Sequence, residues 1–359
     1  MKHRNFLRAA ALAVALALAG SRNARGASPA PPDEESRRVE LLSRLERSVV
    51  LVLVKGKEIV HDEARVGLEA TISLGTGVVL AADGLILTAA HVVAGADEIR
   101  VKSEKAEPVA ARIVFLDDLA DIALVRLASV PVPLVPARLG DSDQVKKGES
   151  VYVIGNPQGI EQSVSMGIVS GRHPVRHVFG TNVKAELIQT DAAINTGNSG
   201  GPIFNGHGEV VAIAQAILTK GGGSEGLGFG LAINVVKAVL ALDPCVWLGF
   251  SGAPLDETWS KVLNVPDANG FLVTRVTPGS PADLAGLKGG AIPIQIGAER
   301  LLVGGDVILR VNGLPVLEWA RSETSGTLRP GDQREQKLTV LRAGRTMEIP
   351  VVTVHRTGW

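Results

Sequence analysis

The chain has 359 residues, with 37 basic and 37 acidic side chains and aromatic residues at only 3%. Zero formal charge and so few rings exclude a basic nucleic-acid surface and the aromatic platforms on which single strands stack. Hydrophobic residues at 45% and charged residues at 21% supply large cores, and the length corresponds to two domains of ordinary size whose interiors must be built from Val, Leu, Ile and Ala.

Lys2, Arg4 and Arg8 precede an unbroken apolar run, Ala9 to Ala19, and Ala24 and Gly26 follow as the small residues a signal peptidase reads. The run is about half the ~20 residues of a membrane span. Residues 1–26 therefore read as a cleaved secretory signal, with a retained N-terminal anchor as the alternative. Cleavage leaves 32 basic against 37 acidic groups and no stable membrane span. Cys245 is the sole cysteine, so the exported chain forms no internal disulfide, and this residue reads as a small packing group.

Residues 27–36 (ASPAPPDEES) are Pro-rich and polar and read as a disordered leader. Residues 37–48 place Val39, Leu42 and Leu45 at helical spacing. Short β-type runs follow: 49–54, 77–80, 85–88, 110–115, 123–127, 151–154, 162–170, 185–190, 210–217 and 229–233, separated by turn residues such as Asn205-Gly206. Many short strands with few helices predict an all-β barrel or sandwich. A short helix is expected at 234–242 with Asn234 as N-cap, stopped by Asp243-Pro244. That break is taken as the boundary between domains at 37–242 and 243–359, the second with strands at 270–276, 306–312 and 336–341.

A serine hydroxyl needs a base to take its proton, and the base needs an acid to fix its tautomer. His91 in LTAAHVV, Asp121 before IALVRL and Ser199 in GNSGGP each sit at the edge of a strongly apolar run. A polar group there is costly unless it faces a cleft or a partner. His91 alone reads equally well as a satisfied core histidine; the three together point to nucleophilic catalysis. Gly197 to Gly201 also fits the G-x-S-x-G elbow of α/β-hydrolases, but Pro202 forbids the helix that must follow. The order His, Asp, Ser is that of the chymotrypsin-like double barrel.

The stretches TAAHVV, DIALVRL, QTDAAINTGNSGGPIF and GLGFGLAIN resemble the Deg/HtrA family of serine proteases. VWLGF, GFLVTRVTPGSPADLAGLKGG and GDVILRVNG resemble that family's PDZ domain. The resemblance implies a mainly β fold, a chymotrypsin-like double β-barrel followed by a PDZ domain. It implies a periplasmic, ATP-independent endopeptidase, a homotrimer or larger, that acts on unfolded protein substrates and often has chaperone activity. The alternative is a peptide-binding chaperone with weak or latent proteolysis.

Residue by residue, Ser199 is the expected nucleophile, His91 the base and Asp121 its orienting acid. Gly197, Asn198 and Ser199 form the oxyanion hole. The floor of the specificity pocket lies six residues before the nucleophile, at Ala193. Ile194 with Leu227, Gly228, Phe229 and Gly230 forms its wall, which implies cleavage after small or medium aliphatic residues. Trp247, Leu248, Gly249 and Phe250 match the loop that takes a peptide's C-terminal carboxylate. Residues 171–186 match a loop that relays PDZ occupancy, with Arg172 or Arg176 as the relaying cation.

The family has almost nothing where this chain inserts residues 291–304, expected to cover the groove or make a new contact. The 54–72 interval is short for the long loop with which some relatives block each other's sites. No cofactor or metal is implied: His173 and His177 lie four apart, but Pro174 opposes the helix they would need as ligands, so both read as surface residues. His207 reads as a hairpin-turn residue.

Overall fold

The computed structural model describes residues 33–61, 66–104, 106–118, 120–174, 185–217, 224–241, 247–266, 270–296, 299–319 and 333–354. The expected signal segment, Arg176, His177 and Cys245 lie outside them. The chain divides into two compact units, Met1–Ser43 and Arg44–Trp359. The described part of the first belongs to helix α1, Glu34–Glu46.

Helix α1 corrects the leader assignment, because it starts inside residues 27–36. The Asp33 carboxylate accepts from the Ser36 N–H at 2.7 Å and caps the helix, and that bond holds the Asp33 carboxyl below its ordinary range. Glu34 and Glu35 in the first turn oppose the helix dipole favourably.

Six strands form the first closed barrel: β1 (Val49–His61), β2 (Val66–Ala81), β3 (Leu85–Thr88), β4 (Ala96–Lys102), β5 (Val109–Asp117) and β6 (Ile122–Leu127), in the order β1-β2-β3-β6-β5-β4. Strands β1 and β4 pair antiparallel and close it. Between β3 and β4 the short helix α2, Ala90–Val93, carries His91. Val52, Val79, Ile86, Ala89, Val93 and Val125 are buried in its core.

Strand β7 (Arg138–Leu139) leads to the second barrel, made by β8 (Ser150–Gly155), β9 (Ser163–Pro174), β10 (Glu186–Thr190), β11 (Pro202–Asn205), β12 (Glu209–Ile217) and β13 (Gly228–Ala232). The path β11-β8-β9-β10-β13-β12 returns to β11 through a β11–β12 ladder, so this barrel closes as well. Closure removes the unpaired edges that open sheets carry. Ile188, Ile203, Phe204, Val211 and Ile213 are completely buried.

Helix α3, Ile233–Ala241, follows. Asn234 lies inside it rather than at its N-cap, a second correction. Its side chain reaches Asp141 at 2.6 Å, its N–H donates to Ser142 Oγ at 3.1 Å, and this lowers the Asp141 pKa. A tertiary partner thus does what a local cap would have done.

The remaining sheet runs β14 (Phe250–Pro254), β15 (Phe271–Val276), β18 (Val307–Val311), β20 (Gln333–Arg342), β21 (Arg345–Val354), with β19 (Leu314–Pro315) beside β18. Helices α4 (Glu257–Val262), α5 (Pro281–Leu284) and α6 (Val316–Trp319) accompany it. The inserted segment is a hairpin, β16 (Ile292–Ile296) with β17 (Glu299–Val303). Ile294, Leu301 and Val303 pack against the cluster of Leu255, Trp259, Val265, Leu272 and Val307, so the insertion makes a new contact on one face of this sheet.

Candidate active site

His91 and Asp121 meet at one end of the paired strands β3 and β6, where Thr88 lies opposite Ala123. Strand β3 delivers His91 through helix α2, and Asp121 immediately precedes β6, which pairs with β3. The ring Nδ1 of His91 lies 2.7 Å from Asp121 Oδ2 and 2.9 Å from Oδ1, and the His91 N–H donates to Oδ1 at 2.9 Å. One carboxylate therefore holds both the backbone and the ring of the histidine. With Nδ1 carrying the proton, Nε2 is left as the basic nitrogen. Asp121 has φ 52°, a left-handed conformation that a non-glycine residue adopts at a cost. The neighbouring Asp118 carboxyl is raised above its ordinary range by desolvation, and then by the Asp117 and Asp121 charges.

Ser199 is half-buried on the turn between β10 and β11. Its carbonyl accepts from the Thr76 N–H at 2.9 Å, and the Gly197 carbonyl accepts from Thr76 Oγ1 at 2.6 Å. Thr76 Oγ1 in turn accepts from the Asn156 N–H and Nδ2 at 2.9 and 3.1 Å. A completely buried threonine of β2 thus fixes the Ser199 turn from the first barrel. Gly200, at φ 82°, lies so close that a Cβ would stand 2.2 Å from Thr88 Oγ1 and 2.4 Å from the Thr76 carbonyl. Thr88 ends the strand that leads to His91, so the serine turn and the histidine helix meet at this glycine.

The orientation of the Thr196–Gly197 peptide decides whether an oxyanion can be bound. The Thr196 carbonyl accepts from the Gln158 N–H at 3.1 Å. In a trans peptide the N–H points the opposite way, so the Gly197 N–H is directed away from the Gln158 loop. Gly197 at φ 101° takes the third position of a turn closed by the Asn198 N–H on the Asn195 carbonyl, at 2.9 Å. Asn198 lies between the two expected donors on this turn. Its N–H is already engaged, and its side-chain Oδ1 is buried without a hydrogen-bond partner, close against Gly155. Among the described residues no hydrogen bond engages the Gly197 or Ser199 N–H.

Around this turn, Ile194 is buried against Gly228, where a Cβ would come within 2.8 Å of Ile194 Cδ1. Ala193 is exposed, and its carbonyl accepts from Ser165 Oγ at 2.8 Å. Leu227 is exposed, Gly230 is buried, and Phe229 stands edge-on to His173, whose ring Nε2 is 2.8 Å from Gln189 Oε1. Arg172 forms a two-bond pair with Glu186, at 2.9 and 2.6 Å, and donates to the Asp143 and Val145 carbonyls. His207 sits in the β11–β12 turn, with its N–H on Asn205 Oδ1. Trp247 to Phe250 stand some way along the chain from these residues, at the start of the third sheet. Thr76, Asn156 and Gln158 were not singled out in the sequence. The signal available was a polar residue flanked by apolar strands, in LGTGVVL and VIGNPQG.

A family model described as "Trypsin-like peptidase domain" matches residues 75–213. A "Probable periplasmic serine endoprotease DegP-like" of Ectopseudomonas mendocina is 36% identical over 278 residues, which are 75% of this chain and 56% of that protein. A protein of the same description from Marinomonas sp. is 38% identical over 241 residues, 66% of this chain and 50% of the relative. The chain thus spans about half the length of the curated relatives it matches. Among solved structures, a serine-to-alanine variant of the HtrA-type protease AlgW with decapeptide aligns with a TM-score of 0.51 at 27% identity, covering 88% of this chain and 97% of that one. Two closed six-stranded barrels and the chain order His, Asp, Ser accord with these matches: the chain is similar to DegP-like and HtrA-type serine proteases, with the trypsin-like peptidase match over residues 75–213.

Proposed function

We propose that this chain is an exported, periplasmic serine endopeptidase that degrades unfolded or damaged proteins. Ser199 attacks the scissile carbonyl, His91 takes the Ser199 proton and returns it to the leaving amine, and Asp121 holds His91 and stabilises its cation. The Gly197 and Ser199 N–H groups receive the oxyanion. The observation that carries this reading is the His91–Asp121 pair, with Nδ1 at 2.7 Å, together with a serine turn whose Thr196 carbonyl is held by the Gln158 N–H at 3.1 Å. A chaperone with latent proteolysis needs that turn collapsed, and the Gln158–Thr196 bond argues against it. The apolar positions Ala193 and Ile194 favour cleavage after small or medium aliphatic residues over Lys or Arg.

Residues 243–359 form a PDZ domain on this reading, with C-terminal peptides adding to the edge strand β14 beside the Trp247–Phe250 loop. The Leu248 carbonyl accepts from the Ala282 N–H and the Gly249 carbonyl from Thr277, both at 2.8 Å. The N–H groups of Gly249 and Phe250, on the same peptide units, point away from those partners and are available to a carboxylate. Arg172 or Arg176 relays occupancy of the peptide site, and the chain assembles as a homotrimer or larger, on the strength of the family resemblance; light scattering of the purified chain tests the assembly. Casein degradation tests the main reading: the chain cleaves casein and Ser199→Ala does not. Equal cleavage by both proteins, or by neither even with activating peptide, overturns it.

A further inference from the structure

Strand β12 of the second barrel pairs with β13 in regular register up to Ala214↔Gly230 and resumes at Ala216↔Phe229. Gln215 is the extra residue of a β-bulge. A bulge interrupts the alternation of side chains and re-aims the one it carries. Here the half-buried Gln215 side chain crosses to the first barrel, and its Nε2 donates to the Ala120 carbonyl at 2.7 Å and to the Asp121 carbonyl at 3.0 Å.

Those two carbonyls belong to the turn that holds Asp121 at φ 52°. A strained turn of this kind persists only where its surroundings over-determine it. One amide reaching two successive carbonyls does so: it fixes the orientation of both peptide units and, through them, the direction in which the Asp121 side chain leaves the backbone. The adjacent residue secures the other half of the site. The Ala214 carbonyl accepts from the Gly200 N–H at 2.7 Å, and the Ala214 N–H donates to the Gly201 carbonyl at 2.8 Å. Ala214 and Gln215 are thus a two-residue brace, with the backbone of one on the Ser199 turn and the side chain of the other on the Asp121 turn. The triad is split between two barrels, and a fixed link between the halves is what its geometry requires.

We propose that Gln215 is a positioning residue for catalysis, holding the Asp121 turn so that its carboxylate meets His91 Nδ1. The proposal rests on the endopeptidase reading above. It acts through Asp121 and not on the substrate, so its loss lowers kcat and leaves KM nearly unchanged. An Asp121 carboxylate drawn away from His91 stabilises the imidazolium less, so the acid limb of the kcat/KM profile moves to lower pH.

The test uses the full chain with Gln215→Met, which keeps length without a donor, and Gln215→Glu, which keeps shape but presents an acceptor to two carbonyls. Casein and peptide kinetics across pH are measured beside thermal unfolding. The His91 ring is titrated by NMR in a Ser199→Ala background, where no turnover is needed. The expected result is a fall in kcat of roughly 10–100-fold for Gln215→Met, at least as large for Gln215→Glu, and a His91 titration displaced downward in both. Wild-type kcat with an unmoved His91 titration overturns the proposal. So does lost activity with an unmoved titration and a lowered unfolding midpoint, which would make Gln215 a structural residue only. If the unsubstituted chain cleaves nothing, the endopeptidase reading falls, and the titration still decides whether Gln215 positions Asp121.

Discussion

Replacing Thr76 by valine removes one hydroxyl and keeps its volume. That hydroxyl donates to the Gly197 carbonyl and accepts from the Asn156 N–H, with Nδ2 of Asn156 as a third partner that retains its bond to the Val50 carbonyl. The substitution therefore leaves one buried carbonyl and one buried N–H without partners. Each such group costs about 1–3 kcal/mol, so the sum is about 2–6 kcal/mol before relaxation, a large part of the roughly 5–15 kcal/mol that holds a domain together. The kinetic effect is sharper. A free Gly197 carbonyl lets the turn rotate, and loss of one oxyanion donor lowers kcat by about 10²–10³. Thr76→Ser keeps the hydroxyl, gives up only a methyl, and is expected to stay within a few-fold of the parent. Denaturant unfolding and kcat on a cleaved peptide are measured for both. A Thr76→Val protein with parental kcat refutes the link between β2 and the oxyanion turn.

Other substitutions probe the site and its surroundings. Asp121→Asn leaves the site's shape intact but offers His91 the wrong partner, and kcat is expected to fall by about 10⁴; a loss under tenfold contradicts the tautomer argument. Asp118 carries a carboxyl whose folded pKa lies above its unfolded value, so ionisation costs stability. That cost is absent below the ordinary carboxylate pKa, grows as pH rises through the folded pKa and is constant above it. Asp118→Asn should therefore raise the unfolding midpoint at neutral pH and lose the advantage progressively in acid; an advantage that grew in acid would reverse the sign. Arg275 donates to the Gly95 and Lys57 carbonyls, both at 3.0 Å, tying β15 to β1 and to the segment just after the His91 helix. Arg275→Ala is expected to cost about 1–3 kcal/mol in denaturant unfolding, and an unchanged midpoint would show those bonds to be replaceable by water.

His91, Asp121 and Ser199 were legible as candidates because each stands in a distinctive local pattern, and Pro202 opposed the rival elbow. Strand β3 was read to the residue and β8, β10, β13 and β15 to within one or two, since continuous apolar runs bounded by turn residues mark buried strands. Strand β4, Ala96–Lys102, was missed because its outward face carries Asp97, Glu98, Arg100 and Lys102. Strands β1 and β2 extend well beyond the apolar stretches for the same reason, with Lys55 and Lys57 on the exposed side. Helix α1 begins ahead of the Val39, Leu42 and Leu45 spacing because Asp33, just after Pro31-Pro32, caps it. What no local pattern could reveal were the bonds between distant segments. Thr76 to Gly197, Gln158 to Thr196 and Gln215 to Asp121 join residues 38 to 121 positions apart, and only barrel closure determines who meets whom. A lone glutamine in VVAIAQAIL was the visible trace of one of them.

The central claim is that His91, Asp121 and the Gly197 N–H make Ser199 a nucleophile. A fluorophosphonate reagent, which forms a covalent adduct only with an activated serine, tests this most directly when the modified peptide is located by mass spectrometry. The prediction is a single adduct on Ser199 in the parent chain, abolished in Ser199→Ala and His91→Ala and strongly slowed in Asp121→Asn. An unlabelled parent, a label on another serine, or labelling of Ser199 that persists undiminished without His91 would contradict it.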